Sequence, residues 1–185
     1  MHEEETLVRE AQKGNAGAFA RLYESYFDRI YRYMAVRVGN SADAEDLAEE
    51  VFLKALESIG TFQWRGAPFS AWLFRIAHNL VIDRARSKGR KEEVVLDEAL
   101  PDTRRAPEDL VELKISIEQM LEGVHHLTDA QRQVIALRFA SGLSIIETAQ
   151  VMNKNEGAIK ALQHSAVQAL RRILTKRPAR TGGEP

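Results

Sequence analysis

The chain has 185 residues, 26 Lys and Arg against 27 Asp and Glu, a formal net charge of −1 and no cysteine. The length fits one or two domains, and the missing cysteine excludes a disulfide framework, a thiolate metal site and a cysteine nucleophile. The opening Met1-His2-Glu3-Glu4-Glu5 lacks a signal peptide's basic start and apolar core, and no run approaches the ~18 apolar residues of a membrane span, so a cytoplasmic protein without membrane insertion is expected.

Apolar residues at Phe19, Leu22, Tyr23, Tyr26, Ile30, Tyr33, Met34 and Val38 recur at helical spacing, and Gly39-Asn40 closes the segment. Leu47, Val51, Phe52, Ala55 and Ile59 repeat the pattern up to Gly60. After Pro68, the set Phe69, Trp72, Leu73, Ile76, Ala77 and Leu80 predicts a helix running to about Ser87. From Ser87 to Pro107 charge, prolines and the loss of period mark a linker, followed by a connecting helix from Glu108 to Glu122 that Gly123 weakens.

Two capping-box patterns, Thr128-x-x-Gln131 and Ser144-x-x-Glu147, predict helices over 129–140 and 145–152. Asn155 is a third N-cap candidate, opening a helix to about Thr175 with a stripe of Ile159, Leu162, Ala166, Leu170 and Ile173. A short helix, a turn and a longer helix with basic outward positions read as a helix-turn-helix. No segment alternates with period two, so the fold class is all-α: two small helical domains joined by a flexible linker.

Charge is distributed unevenly. Residues 1–86 carry 11 basic and 13 acidic side chains, 87–126 carry 6 and 10, and 127–185 carry 9 and 4. The basic C-terminal part suits duplex DNA, because phosphate neutralisation supplies most non-specific affinity. In the N-terminal part, Asp43, Asp46, Glu49 and Glu50 share one helix face, with Leu47, Val51 and Phe52 on the other. Crowded like charges cost stability unless a basic partner neutralises them, although a solvated face near a helix start is the plainer reading.

Holding unpaired bases requires aromatic platforms, amides for base edges and arginines for phosphates. Phe62, Trp64 and Arg65 lie on a Gly-containing loop, and Arg75, Asn79, Asp83, Arg84 and Arg86 lie on or beside one helix. Trp72 is assigned to the core; Trp64 is open between core and platform.

The strings Asp43-Ala-Glu-Asp-Leu47, Glu50-Val-Phe52 and Trp72-Leu73 through Asn79, with Gln131-Arg-Gln-Val-Ile and Gly142-Leu-Ser-Ile-Ile-Glu-Thr-Ala149, resemble bacterial sigma factors of the extracytoplasmic-function group. The resemblance implies a polymerase-docking surface at Asp43, Asp46, Leu47, Glu49, Glu50 and Phe52. It implies capture of the single-stranded minus-ten element by Phe62, Trp64, Arg65, Arg75, Asn79, Asp83, Arg84 and Arg86. The duplex minus-thirty-five element would fall to Asn155, Lys160, Gln163, His164, Ser165 and Arg171. Glu49 stands where the family often has Gln, and Ser165 where an arginine is frequent.

The expected partners are core RNA polymerase, promoter DNA and an anti-sigma factor. The expected division is a region 2-like domain over 1–88, a linker with its connecting helix over 89–125, a region 4-like domain over 126–177 and a disordered tail over 178–185.

An enzyme is the first competing class. Glu122-x-x-His125 has the spacing of a di-iron ligand pair, yet that design needs two such pairs and further glutamates. No phosphate-binding glycine loop or nucleophile motif is present, so no catalysis, metal or cofactor is expected. An ordinary helix-turn-helix regulator with a sensing domain is the second class, and a helical protein-interaction module the third. The joined acidic face, Trp-Arg-Gly loop and Asn-Asp-Arg helix argue against the second, and the third would show no salt-sensitive DNA affinity.

Overall fold

The structure, a computed structural model, describes residues 2–64, 66–89 and 119–176. Four helices form the N-terminal unit: α1 (His2–Gln12), α2 (Ala16–Val38), α3 (Ser41–Ser58) and α4 (Phe69–Gly89). A short helix, α5, covers 119–125. The C-terminal unit continues with α6 (Asp129–Ile135), a π-turn (Ala136–Ala140), α7 (Ile145–Met152) and α8 (Glu156–Lys176). Among the described residues there is no strand, as the all-α expectation required.

Helix α1 was not foreseen from periodicity. It buries Val8 and Ala11 along α2, and Gln12 Nε2 at its end donates to Ile59 O (3.0 Å) and Phe62 O (2.8 Å). The start of the chain thereby fixes the loop after α3. Helix α2 ends on Gly39, whose φ of 84° needs a residue without Cβ, and Asn40 then caps α3 by accepting from Asp43 N at 2.7 Å. Two adjacent residues thus close one helix and open the next.

Both capping boxes form, at Thr128/Gln131 and Ser144/Glu147, and Asn155 Oδ1 accepts from Ala158 N at 2.8 Å. The continuous helix expected over 129–140 is α6 with a π-turn in its last five residues. Ser141 N bonds to Ala136 O at 3.0 Å, a five-residue step that widens the turn. The connecting helix expected from Glu108 to Glu122 lies largely outside the described residues; its described part continues through Gly123 to residue 125. Gly123 is tolerated because α8 packs there, with Leu170 Cδ1 3.0 Å from where a Cβ would stand.

The two units touch. Ala136, Leu137, Leu143 and Val151 of the C-terminal unit belong to the same buried cluster as Leu22, Ile30, Tyr33 and Phe74 of the N-terminal unit. A second cluster, with Val124, Leu127, Val134, Ile159 and Ala166, holds the helix-turn-helix together. Linker composition did not announce this contact. The described linker residues end at 89 and resume at 119, so the linker's path and the tail over 178–185 lie outside the description.

Candidate nucleic-acid and protein interfaces

Helix α3 has two faces. Leu47 (3% exposed) and Phe52 (5%), expected on a docking surface, pack inside with Val51 and Ala55 beneath the exposed face of α3. Asp46, Glu49 and Glu50 are exposed, with Glu50 3.9 Å from Lys54. Leu53 (61% exposed) and Leu56 (52%) follow them, on the i, i+3, i+4 positions of that face. The outer surface of α3 is therefore acidic over Asp46, Glu49 and Glu50 and apolar at Leu53 and Leu56, one to two turns further along. Residue spacing already carried this signal, because Leu53 and Leu56 fall off the buried period. Asp43 does not join that surface; it is ion-paired with Arg84 of α4.

Phe62 is 5% exposed and its ring packs 5.6 Å from Phe69 and 5.3 Å from Trp72. The structure thus places Phe62, expected as a base platform, among the buried aromatic residues. Trp64, by contrast, is 37% exposed and meets Phe62 edge-on at 5.0 Å, which leaves it as the aromatic surface of the loop. Trp72 is half-buried against the core, as expected. Arg65 lies outside the described residues.

On α4, Arg75, Asn79, Asp83 and Arg86 are exposed and follow one another at steps of three or four, forming one stripe. Asp83 and Arg86 stand 3.9 Å apart. Arg84 points the other way, toward Asp43, and its Nε is buried without a hydrogen-bond partner. In this structure it ties α4 to α3.

Next to that stripe runs a polar seam to the C-terminal unit. Arg37, whose side chain is 3% exposed, pairs with Asp129 at 2.8 Å, and Arg32 Nε donates to Ala140 O at 2.8 Å. Arg29 Nε donates to Ser141 O (2.8 Å), and Ser141 Oγ returns a bond to Arg29 O (3.1 Å). Ser70 Oγ donates to Glu147. Arg75 donates to Gln150 O at 2.9 Å, and Gln150 Nε2 donates to Gly66 O at 2.7 Å.

His78 sits in the seam, with Gln133 Nε2 2.9 Å from its Nδ1 and the Tyr33 hydroxyl at 3.5 Å. Burial, helped by the Arg37 guanidinium, pushes the imidazole below its ordinary pKa despite Asp129. The neutral ring then accepts from the Gln133 amide. For Glu147, burial alone would raise the carboxyl; hydrogen bonds from Ser70 and Ser144, with Arg29 nearby, reverse that and hold it below the usual carboxylate range.

On α8 the outward stripe is Lys160, His164, Gln168 and Arg171, all exposed. Gln168 was not foreseen; it sits one turn beyond His164. Asn155 is occupied as the helix cap, and Ser165 accepts from Gln131 Nε2 at 3.0 Å. Gln163 is half-buried and accepts from Arg138 Nε at 2.9 Å. Expected duplex readers thus divide into free ones, Lys160, His164 and Arg171, and ones already holding intramolecular bonds.

His125 does not assemble a metal site: among the described residues no group of three or more His, Cys, Asp or Glu could hold an ion. Its ring instead lies against Gly39, where a Cβ would come within 2.4 Å of Cε1. No described helix is long and apolar enough to cross a membrane.

Comparison with known proteins matches the two units separately. The Sigma-70 region 2 profile fits residues 22–91 and the Sigma-70 region 4 profile fits residues 124–172. The chain is 49% identical over 170 residues to the ECF RNA polymerase sigma factor BldN of Streptomyces coelicolor, covering 91% of this chain and 64% of that protein. It is 35% identical over 182 residues to the ECF RNA polymerase sigma factor SigW of Bacillus subtilis, covering 90% and 94%. In fold it is similar to the sigma factor RpoE in complex with the anti-sigma factor NepR from Bartonella quintana, with a TM-score of 0.69 and 23% identity over 86% of this chain and 98% of that one.

Proposed function

Because the chain belongs to the sigma-70 family, in its extracytoplasmic-function group, we propose that it binds core RNA polymerase, directs it to specific promoters and melts the minus-ten region. The observation that carries this reading is the outer face of α3, where the exposed acids Asp46, Glu49 and Glu50 are followed by the exposed Leu53 and Leu56. An acidic stretch continued by two exposed leucines suits a basic helical partner, with charge setting orientation and the leucines supplying desolvated contact.

In this reading the N-terminal unit is the docking and strand-capturing domain, and the segment from 126 to 177 is the duplex reader. Trp64 is the stacking platform, Asn79 the base-edge reader, and Arg75 and Arg86 the phosphate contacts. Their combination supports strand capture without ATP, since stacking of freed bases on an aromatic offsets stacking lost in the duplex. Lys160 and His164 lie on the N-terminal half of α8, where major-groove readers sit, and Arg171 suits a phosphate. The protein carries out no chemistry of its own and acts in the cytoplasm, where core polymerase is found. A dedicated anti-sigma factor as partner is supported by the RpoE–NepR complex, whose fold this chain shares.

Binding to purified bacterial core RNA polymerase tests the reading. Wild type should bind tightly and support run-off transcription, and an Asp46→Arg/Glu50→Arg variant should lose both. Absence of wild-type binding alongside salt-sensitive duplex binding would instead make the chain an ordinary helix-turn-helix regulator.

A further inference from the structure

Within the C-terminal unit one bond fixes the orientation of an amide on the proposed duplex reader. Arg138, in the π-turn after α6, donates from Nε to Gln163 Oε1 on α8 at 2.9 Å. Its Nη1 donates to the carbonyl of Leu143, a fully buried residue in the turn ahead of α7. The guanidinium is therefore held on two sides, and it joins that turn to the longer helix of the helix-turn-helix.

A guanidinium has five N–H donors and no acceptor. Only the carbonyl oxygen of the Gln163 amide can meet it, because the reversed amide would set N–H against N–H. Oε1 is thus turned to Arg138, and the amino end is the part left over. Among the described residues Gln163 Nε2 has no hydrogen-bond partner, and it is not one of the buried unpaired atoms, so it is reachable from solvent. Gln163 lies one turn beyond the exposed Lys160 and beside the exposed His164, in the first half of α8.

A free glutamine reads adenine with both ends of its amide, Oε1 accepting from N6 and Nε2 donating to N7. With Oε1 engaged, only the second bond remains, and the N6 amino group of adenine meets another donor. Guanine instead offers N7 and O6, two acceptors side by side, which suit a group that can only donate. Lys160, one turn earlier, is likewise a donor with no acceptor.

We propose that Arg138 is a positioning residue that sets the polarity of Gln163, so that this side chain reads duplex DNA as a donor alone and selects guanine over adenine at its place in the promoter. The proposal rests on reading α8 as the duplex reader. It turns a side chain that ordinarily recognises adenine into one that rejects it. A bond between Arg138 and Gln163 that served the fold alone would leave base preference untouched.

Sequence selection by the full chain tests this, with duplex fragments randomised over one helical turn as the probe. In Gln163→Glu one carboxylate oxygen keeps the pair with Arg138, and the other replaces the outward donor by an acceptor, whose matching partner is the N4 amino group of cytosine. The native chain should enrich guanine over adenine about tenfold at one position, and Gln163→Glu should install cytosine there with the other positions unchanged. Arg138→Met frees Oε1 and should bring adenine to within about twofold of guanine at the same position. Because Gln163→Glu retains the pair with Arg138, it carries the test even if Arg138→Met fails to fold.

Adenine as the native preference at that position overturns the proposal, as do preferences that Gln163→Glu leaves unchanged. So does guanine retained at full strength in a folded Arg138→Met chain. Core polymerase binding, which needs only the exposed face of α3, is scored on the same preparations. Binding retained while no position responds to Gln163 strikes this proposal alone; the base switch without polymerase binding strikes the sigma-factor reading alone.

Discussion

Ser70 donates its hydroxyl to Glu147, and the same carboxylate accepts from Ser144 N at 2.7 Å to close the capping box of α7. One side chain therefore both starts a helix of the duplex-reading unit and fastens it to the first turn of α4. Local helix formation and contact between units are coupled through a single carboxylate.

Glu147→Ala should cost about 1–3 kcal/mol, since it loses a cap and a contact between units, whereas Ser70→Ala spares the cap and should cost about 1 kcal/mol. The pH dependence has a definite sign. The folded Glu147 carboxyl is held below its ordinary value, so its contribution is complete above about pH 4.3 and is lost as pH falls through the folded value. Urea denaturation of wild type and Glu147→Gln should show a stability gap at pH 7 that narrows below about pH 4.3. A gap that does not change with pH would contradict the hydrogen-bonded carboxylate.

His78 is held below its ordinary pKa by burial and by Arg37. The unfolded chain therefore takes up the proton first, and the His78 contribution is complete above about pH 6.5 and declines as pH drops through the folded value. His125, lowered by burial and Arg132, acts in the same direction. Thermal unfolding between pH 7.5 and 5.5 should show a slope that His78→Gln reduces and His78→Gln/His125→Gln reduces further. An unchanged slope in the double variant would place the titration elsewhere.

Gly39→Ala meets two penalties, a backbone φ of 84° and a Cβ within 2.4 Å of His125 Cε1. The expected cost is about 1–3 kcal/mol. Adding His125→Ala should recover the steric share and leave the backbone share, a partial rescue measurable in a double-mutant cycle. Full rescue would mean that the left-handed conformation carries no cost here.

Leu53→Asp/Leu56→Asp should weaken core polymerase binding by at least about tenfold, with thermal stability close to wild type because both residues are exposed. Equilibrium binding and calorimetry on the same preparation check the two halves. A large fall in stability with retained binding would assign these leucines to the fold rather than to docking.

Much of the local structure was legible. Thr128, Ser144 and Asn155 announced their helices because a cap is an interaction between neighbours in sequence, and each forms as its pattern required. The apolar stripe of α4 placed Trp72 in the core for a similar reason. Helix α1 was obscured by its charge: it buries Val8 and Ala11, and its position depends on α2 and on the loop that Gln12 grips.

The sequence by itself determined the all-α class, the caps, the acidic face of α3 and the family, because these depend on periodicity, residue chemistry and ordered motifs. Tertiary structure decided which members of each motif face outward. Phe62 was taken into the core by Phe69 and Trp72, Arg84 was turned to Asp43, and Gln163 was held by Arg138. It also decided that the two units meet. Burying Leu137, Leu143 and Val151 depends on α2 and α4, which lie far away in sequence; spacing along one helix shows which side is apolar, but what covers that side is settled only when distant segments pack.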